Sequence, residues 1–250
     1  MKMKRIGWIL LAVVIGGLLL TGCQGKETAS TGVNTVTYDL SRGCPTEFEA
    51  SDGWTNGSMF NVFWRGQNVT FRDGRMQLLI DRDPSQPQGI PYSGGEFRSK
   101  DFYGYGRYEV SMKAIKNDGV VSSFFTYTGP SDGNQWDEID FEVLGKDTTK
   151  VQLNYFTDSV GNHEYLVDLG FDASEDFHEY AFEWRKSGIT WFVDGKEVHH
   201  ADSNTPVTPG KIMMNAWVGT GVDSWLAPFT EGEWPLVAEY QWVRFTPLEE

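Results

Sequence analysis

From about Val36 onward, apolar and aromatic side chains alternate with polar ones in short runs, punctuated by Gly, Asn, Asp and Pro. A period of two sends successive side chains to opposite faces, so each run reads as a strand buried on one side. The clearest strands are predicted at residues 76–81, 108–113, 120–127, 137–144, 151–156, 179–184, 189–193, 212–217 and 239–245. Asp194-Gly195, between two such runs, is a two-residue hairpin signal. Beyond the N-terminal segment no stretch of twelve or more residues keeps a 3.6-residue period, and no repeat is visible, which excludes propellers and solenoids. The expectation is an all-β chain folded as a two-sheet jelly-roll sandwich. Residues 82–92, with Pro84, Pro87 and Pro91, read as a surface loop and not as a domain boundary.

One segment breaks the alternation. Lys2, Lys4 and Arg5 precede an uncharged apolar run, residues 6–20, that ends in Leu20-Thr21-Gly22-Cys23. Fifteen residues of helix rise about 22 Å, short of the ~30 Å hydrocarbon core, so an export signal is favoured over a spanning helix. The Leu-Thr-Gly-Cys ending resembles a lipobox, which implies cleavage before Cys23 and a lipid on that cysteine. The expected organisation is a lipoprotein signal peptide over residues 1–22, a lipidated N-terminus and flexible tether over 23–34, and one β domain over 35–250. The implied location is the bacterial cell membrane or surface. A lipid on Cys23 leaves Cys44 as the only other cysteine, so no internal disulfide is expected.

Composition narrows the partners. With 40% hydrophobic and 22% charged residues the chain is too apolar for disorder. Its 21 Lys and Arg against 35 Asp and Glu give a net charge of -14, which repels nucleic acid and anionic lipid headgroups. All three basic residues of the signal would leave with it, making the exported body still more acidic. Ten Trp favour a flat-faced ligand such as a sugar.

The informative run is Trp136-Asp137-Glu138-Ile139-Asp140-Phe141-Glu142-Val143-Leu144. As a strand it places Glu138, Asp140 and Glu142 on one face and Ile139, Phe141 and Val143 on the other. Three adjacent carboxylates repel one another and disfavour a strand, so the arrangement calls for a return in function. Paired carboxylates are the apparatus of glycoside hydrolysis. The Cα atoms of Glu138 and Glu142 should stand about 13 Å apart at ~3.3 Å per residue. Retaining chemistry needs the carboxyl groups about 5–5.5 Å apart, so both side chains must lean inward across a concave sheet.

With Gly145 following Leu144, this run resembles the E-x-D-x-E motif of glycoside hydrolase family 16, and the likeness extends over residues 54–245. It is nearest the bacterial licheninases, endo-β-1,3-1,4-glucanases with a curved β-jelly roll, a groove on the concave face and a retaining mechanism. The motif carries no extra residue before its last Glu, a feature shared with plant xyloglucan transferases. The resemblance implies Glu138 as nucleophile, Glu142 as general acid/base and Asp140 as their assistant. It also implies a glucan groove lined by Asn56, Glu96, Arg98, Phe125, Tyr127, Trp136, Asn154, Asn215, Trp217 and Trp225. Glu96 and Arg98, two apart, would share a strand face, where a mutual ion pair is the simplest arrangement.

Several positions depart from the family pattern. Val62 and about Gly94 stand where these enzymes usually carry a disulfide, Phe156 and Trp54 replace groove tyrosines, and the loop before Glu96 is about three residues longer. Gln241 stands at the carboxylate of the family's structural calcium, and a neutral amide holds Ca²⁺ less strongly, so neither metal nor cofactor is expected. His163, His178, His199 and His200 show no metal-binding spacing. The expectation is a monomer that cleaves mixed-linkage β-glucan. The alternatives are a xyloglucan hydrolase or transglycosylase, and a glucan-binding lipoprotein without catalysis.

Overall fold

In the computed structural model, which describes residues 34–248, the alternating runs become strands. In chain order these are β1 (Val36–Asp39), β2 (Phe48–Ala50), β3 (Val62–Trp64), β4 (Val69–Arg72) and β5 (Arg75–Arg82). Next come β6 (Tyr92–Ser99), β7 (Gly106–Lys113), β8 (Val120–Thr128), β9 (Asp137–Leu144), β10 (Lys150–Phe156) and β11 (Tyr165–Asp168). The last are β12 (His178–Arg185), β13 (Gly188–Val193), β14 (Lys196–Ala201), β15 (Lys211–Val218) and β16 (Leu236–Pro247). The one α-helix among the described residues, α1 (Asp223–Leu226), lies between the last two. The signal segment, Cys23 and the tether up to residue 33 lie outside the described residues.

Two layers result. The inner one runs β2-β6-β15-β8-β9-β10-β11 and the outer one β4-β5-β16-β7-β12-β13-β14, with β1 also paired to β16. Every one of these neighbours is antiparallel, and one side of the sandwich is joined where Asp81 and Arg82 of β5 pair with Ser93 and Tyr92 of β6. The long connection is therefore residues 83–91, shorter at both ends than the sequence suggested. Its start is held by an Arg65–Asp83 ion pair at 2.8 Å.

The core lies between the layers. Phe141 meets Tyr180 at 5.5 Å between ring centroids, and Phe124 meets Phe182 at 5.8 Å. The Tyr240 hydroxyl crosses from β16 to donate to the Ser123 carbonyl of β8 at 2.9 Å. Ile139, Phe141 and Val143 are fully buried on this side of β9. Burying each such side chain contributes roughly 1.5–3 kcal/mol. A repulsive neighbouring pair costs about 0.2–1 kcal/mol, so the apolar face of β9 holds the acidic face in place.

Local signals act as expected at the β13–β14 hairpin, where Asp194 and Gly195 have φ of 47° and 74°. Two positive angles in succession make the tight turn whose twist matches paired strands. At the parallel β3–β6 pairing Val62 faces Tyr92, and Gly94 faces Trp64. A Cβ at Gly94 would stand 2.8 Å from the Trp64 ring, so the ring occupies that space and the positions compared with the family disulfide are offset by two residues. Cys44 is exposed with a free thiol. Gln241 sits beside the irregularity in β16, and its side-chain oxygen accepts from Ser111 at 2.9 Å.

Candidate active site

Strand register builds the site in three rows across the inner layer. Phe156, Glu138, Tyr127 and Lys211 stand opposite one another on β10, β9, β8 and β15. The second row is Asn154, Asp140, Phe125, Met213 and Arg98, reaching β6. The third is Gln152, Glu142, Ser123, Asn215 and Glu96. All these side chains line one groove of about 810 Å³, on the face of the sheet turned away from the core. Its wall adds Trp54, Met59 and Phe60 from the connection before β3, with Trp217 and Trp225 at the other side of that connection.

Glu138 accepts from the Trp136 indole and shares a hydrogen bond with Asp140. Burial pushes the Glu138 carboxyl up to about 7, opposed by these two bonds and reinforced by the charge of Glu96. Burial also carries Asp140 well above the ordinary aspartate range, helped by the charges of Glu138 and Glu142. The shared bond lowers the proton affinity of Glu138 and raises that of Asp140, so Asp140 holds the proton and donates it to the Glu138 carboxylate. Glu142 is raised to about 8 by burial and then by the Glu138 charge, and it accepts from the Gln152 amide at 2.8 Å. The groove thus holds two carboxyl groups whose proton affinities are both raised towards neutrality, Glu142 above Glu138, an arrangement that can serve acid-assisted displacement.

The remaining polar groups are positioned by neighbours. Glu96, buried and raised by that burial, accepts from Ser51 at 2.7 Å and from Asn215 at 3.3 Å. Asn215 in turn accepts from Ser123 at 2.6 Å. Arg98 and Glu96 form no ion pair with each other; Arg98 pairs with Glu49 at 3.0 Å, because the β2–β6 register puts those two residues opposite each other. The Asn56 oxygen accepts from the Trp64 indole at 2.6 Å, leaving its amide hydrogens for a ligand. Trp136 stacks on Phe156 at 4.2 Å, so the ring that replaces a family tyrosine supports the tryptophan beside Glu138.

Every groove residue named from the sequence lies in this groove, and Trp217 and Trp225 stand 6.0 Å apart along its wall. Sequence reasoning missed Ser123, Gln152 and Met213, each two positions along a strand from a named residue, and Lys211, two beyond Met213, so continuing the alternation would have found them. Glu164 also lines the groove. It precedes β11 in a connection, where no periodicity points to it. Asp137 was left without a role. Its buried carboxylate accepts from the backbone N–H groups of Asp158, Val207 and Thr208 at 2.9–3.1 Å, tying the start of β9 to two loops. Three of the four histidines serve packing, His163, His199 and His178 stacking on Tyr155, Tyr165 and Phe171, while His200 shares a hydrogen bond with Thr190 at 2.8 Å.

Comparison with known proteins follows the same outline. The family model "Glycosyl hydrolases family 16" matches residues 56–242. A "Beta-glucanase" of Bacillus subtilis is 50% identical over 246 residues, covering 98% of each chain. A "Xylanase/beta-glucanase" of Ruminococcus flavefaciens is 56% identical over 228 residues, 88% of this chain but 28% of that one, so the match spans a minor part of a longer protein. Among solved structures, a prokaryotic beta-1,3-1,4-glucanase (lichenase) from a mouse hindgut metagenome superposes with a TM-score of 0.82 at 52% identity, covering 86% of this chain and 99% of that one.

Proposed function

Because this chain belongs to glycosyl hydrolases family 16, we propose that it is an endo-acting, retaining glucanase that cleaves mixed-linkage β-1,3-1,4-glucan. The observation that carries this reading is the row of carboxyl groups on β9, with Asp140 buried and bonded to Glu138, Glu138 and Glu142 partly open to the groove, and the higher proton affinity of the two glutamates on Glu142. In the first step the Glu138 carboxylate attacks the anomeric carbon while Glu142 protonates the departing oxygen. In the second, Glu142 takes a proton from water, which displaces Glu138 and restores both groups. Asp140 donates to Glu138 between turnovers and so directs its attacking oxygen. The aromatic wall and the amides of Asn56, Asn154 and Asn215 suit the apolar faces and hydroxyls of glucosyl rings. The groove crosses the strands and is lined along its length, which suits an internal stretch of polymer.

The test is product release by residues 24–250 from mixed-linkage β-glucan, laminarin and xyloglucan. Cleavage of mixed-linkage glucan, lost in Glu138→Gln, is expected. Preference for xyloglucan would move the substrate and keep the mechanism, whereas binding without cleavage on all three would remove the enzymatic reading. Lys2, Lys4 and Arg5, the apolar run after them and the Leu20–Cys23 ending support a lipid anchor at the bacterial cell membrane or surface. Labelling with a radioactive fatty acid, lost in Cys23→Ser, tests the anchor.

A further inference from the structure

Two hydrogen bonds lead away from the groove carboxylate Glu142. Gln152 of β10 stands directly opposite it, and its Nε2 donates to Glu142 Oε2 at 2.8 Å. The Trp225 indole Nε1, on α1, donates to Gln152 Oε1 at 3.0 Å. An indole N–H can only donate. It therefore fixes which end of the Gln152 amide faces which neighbour: the oxygen must meet Trp225, and the NH₂ group is left for Glu142. A hydrogen-bond donor already meets Oε2, and the carbonyl oxygen of a carboxylic acid is the better acceptor, so a proton on Glu142 is favoured on Oε1.

Resting on the reading of Glu142 as the general acid/base, we infer that Gln152 and Trp225 form a relay that keeps the acid proton on the oxygen facing the scissile bond. Both are positioning residues, with Gln152 acting on the acid and Trp225 acting on Gln152. Without the indole N–H, the amide can rotate by half a turn and accept the proton from Oε2, holding it away from the leaving oxygen. Gln152 is buried, so water competes poorly for either bond.

Other groups set the background against which the relay acts. Glu138 and Asp140 share the strand of Glu142, Glu164 faces it from the segment before β11, and Ser123 stands opposite on β8. Farther across the groove are Tyr127, Glu96 and Arg98, the last paired with Glu49. Gln152 is thus a neutral donor to Glu142 set among acids, and it favours the carboxylate form.

The test compares two substrates at several pH values, using Gln152→Leu and Trp225→Phe. Mixed-linkage glucan has an alkoxide leaving group that needs a proton, whereas a dinitrophenyl glycoside of a glucan oligosaccharide departs without one. For Gln152→Leu, kcat on glucan is expected to fall about tenfold or more, and its alkaline limb to move up by about one pH unit. Release of dinitrophenolate in a single turnover should change less than about threefold. Trp225→Phe keeps the ring and should show the same pattern at smaller amplitude, about threefold on glucan; it carries the test if Gln152→Leu does not fold. Equal losses on both substrates, or an unmoved alkaline limb in an active variant, would overturn the relay alone. A wild-type protein that cleaves neither substrate would overturn the reading of the groove, and the relay with it.

Discussion

The two outer faces of the sandwich are both acidic, and they treat their acids in opposite ways. On the outer layer Glu109 lies 3.1 Å from Arg107 and 3.7 Å from Arg244, and Glu183 lies 3.2 Å from Arg107 and 3.0 Å from Arg185. Glu239 is flanked by Arg75 at 3.3 Å and Lys113 at 3.5 Å. In the groove the carboxyl groups of Glu96, Glu138 and Glu142 instead meet neutral donors from Ser51, Asn215, Trp136 and Gln152. The groove cations are engaged elsewhere, Arg98 with Glu49 and Lys211 with Asp132 at 3.2 Å. A cation beside a carboxylate stabilises its charge and ends its use as an acid. Neutral donors orient the group while burial keeps its proton affinity high.

The sharpest way to break this contrast is to exchange one acid on each face for its amide. Glu138→Gln is expected to lower kcat/KM on mixed-linkage glucan by roughly four orders of magnitude or more, the scale of losing a nucleophile. Asp140→Asn should cost about 10²–10³, since its amide can still donate to Glu138 but cannot give up or take back a proton as the glutamates change charge. Next in size is the pH dependence: the proposed roles require Glu138 ionised and Glu142 protonated, so kcat/KM should peak between about 7 and about 8. A peak near 4.5 would show that burial does not govern these groups.

Stability should move the other way from activity. Carboxyl groups whose folded values are raised stabilise the protein below their unfolded values and lose that contribution as pH rises through the folded ones. The wild-type Tm should therefore fall between about pH 4.5 and about pH 8 from the two glutamates, and Asp140→Asn should recover part of the cluster's fall, about 2–4 °C for each kcal/mol. Smallest of all is the outer face, where Glu109→Gln should leave kcat within about twofold and cost about 1 kcal/mol in denaturant unfolding, the upper range for exposed pairs. A large loss of activity there would erase the distinction between the faces.

Legibility in the sequence followed the length of the alternation. The eight-residue run of β9 showed both its ends and its two faces, whereas β2 and β3, three residues each, are too short for a period of two to register. They form because β6 offers them a paired edge, a condition that lies outside their own sequence. The same limit applied at the site. Glu138, Asp140 and Glu142 were visible because three acids alternate with apolar residues on one strand. Glu96 and Asn215 were named through the family pattern alone, since their meeting at 3.3 Å depends on the register of β6 against β15. Arg98 does line the groove, and its ion partner Glu49 could not be read from the sequence, because Glu49 lies on a strand that the alternation did not reveal.

The pairing of β1 with β16 puts Val36 opposite Phe245, and a hydroxyl contact at 3.0 Å joins Thr35 to Thr246. Among the described residues the backbone is thus almost a ring, with its seam on the layer behind the groove. With the segment before Thr35 removed, a few added residues could close that seam, and new ends could be opened at the exposed Asp194-Gly195 tip without cutting any strand of the inner layer. Order along the gene and order of the carboxylates in space are in that sense separable: the chemistry needs the circuit of strands, and is indifferent to where translation begins.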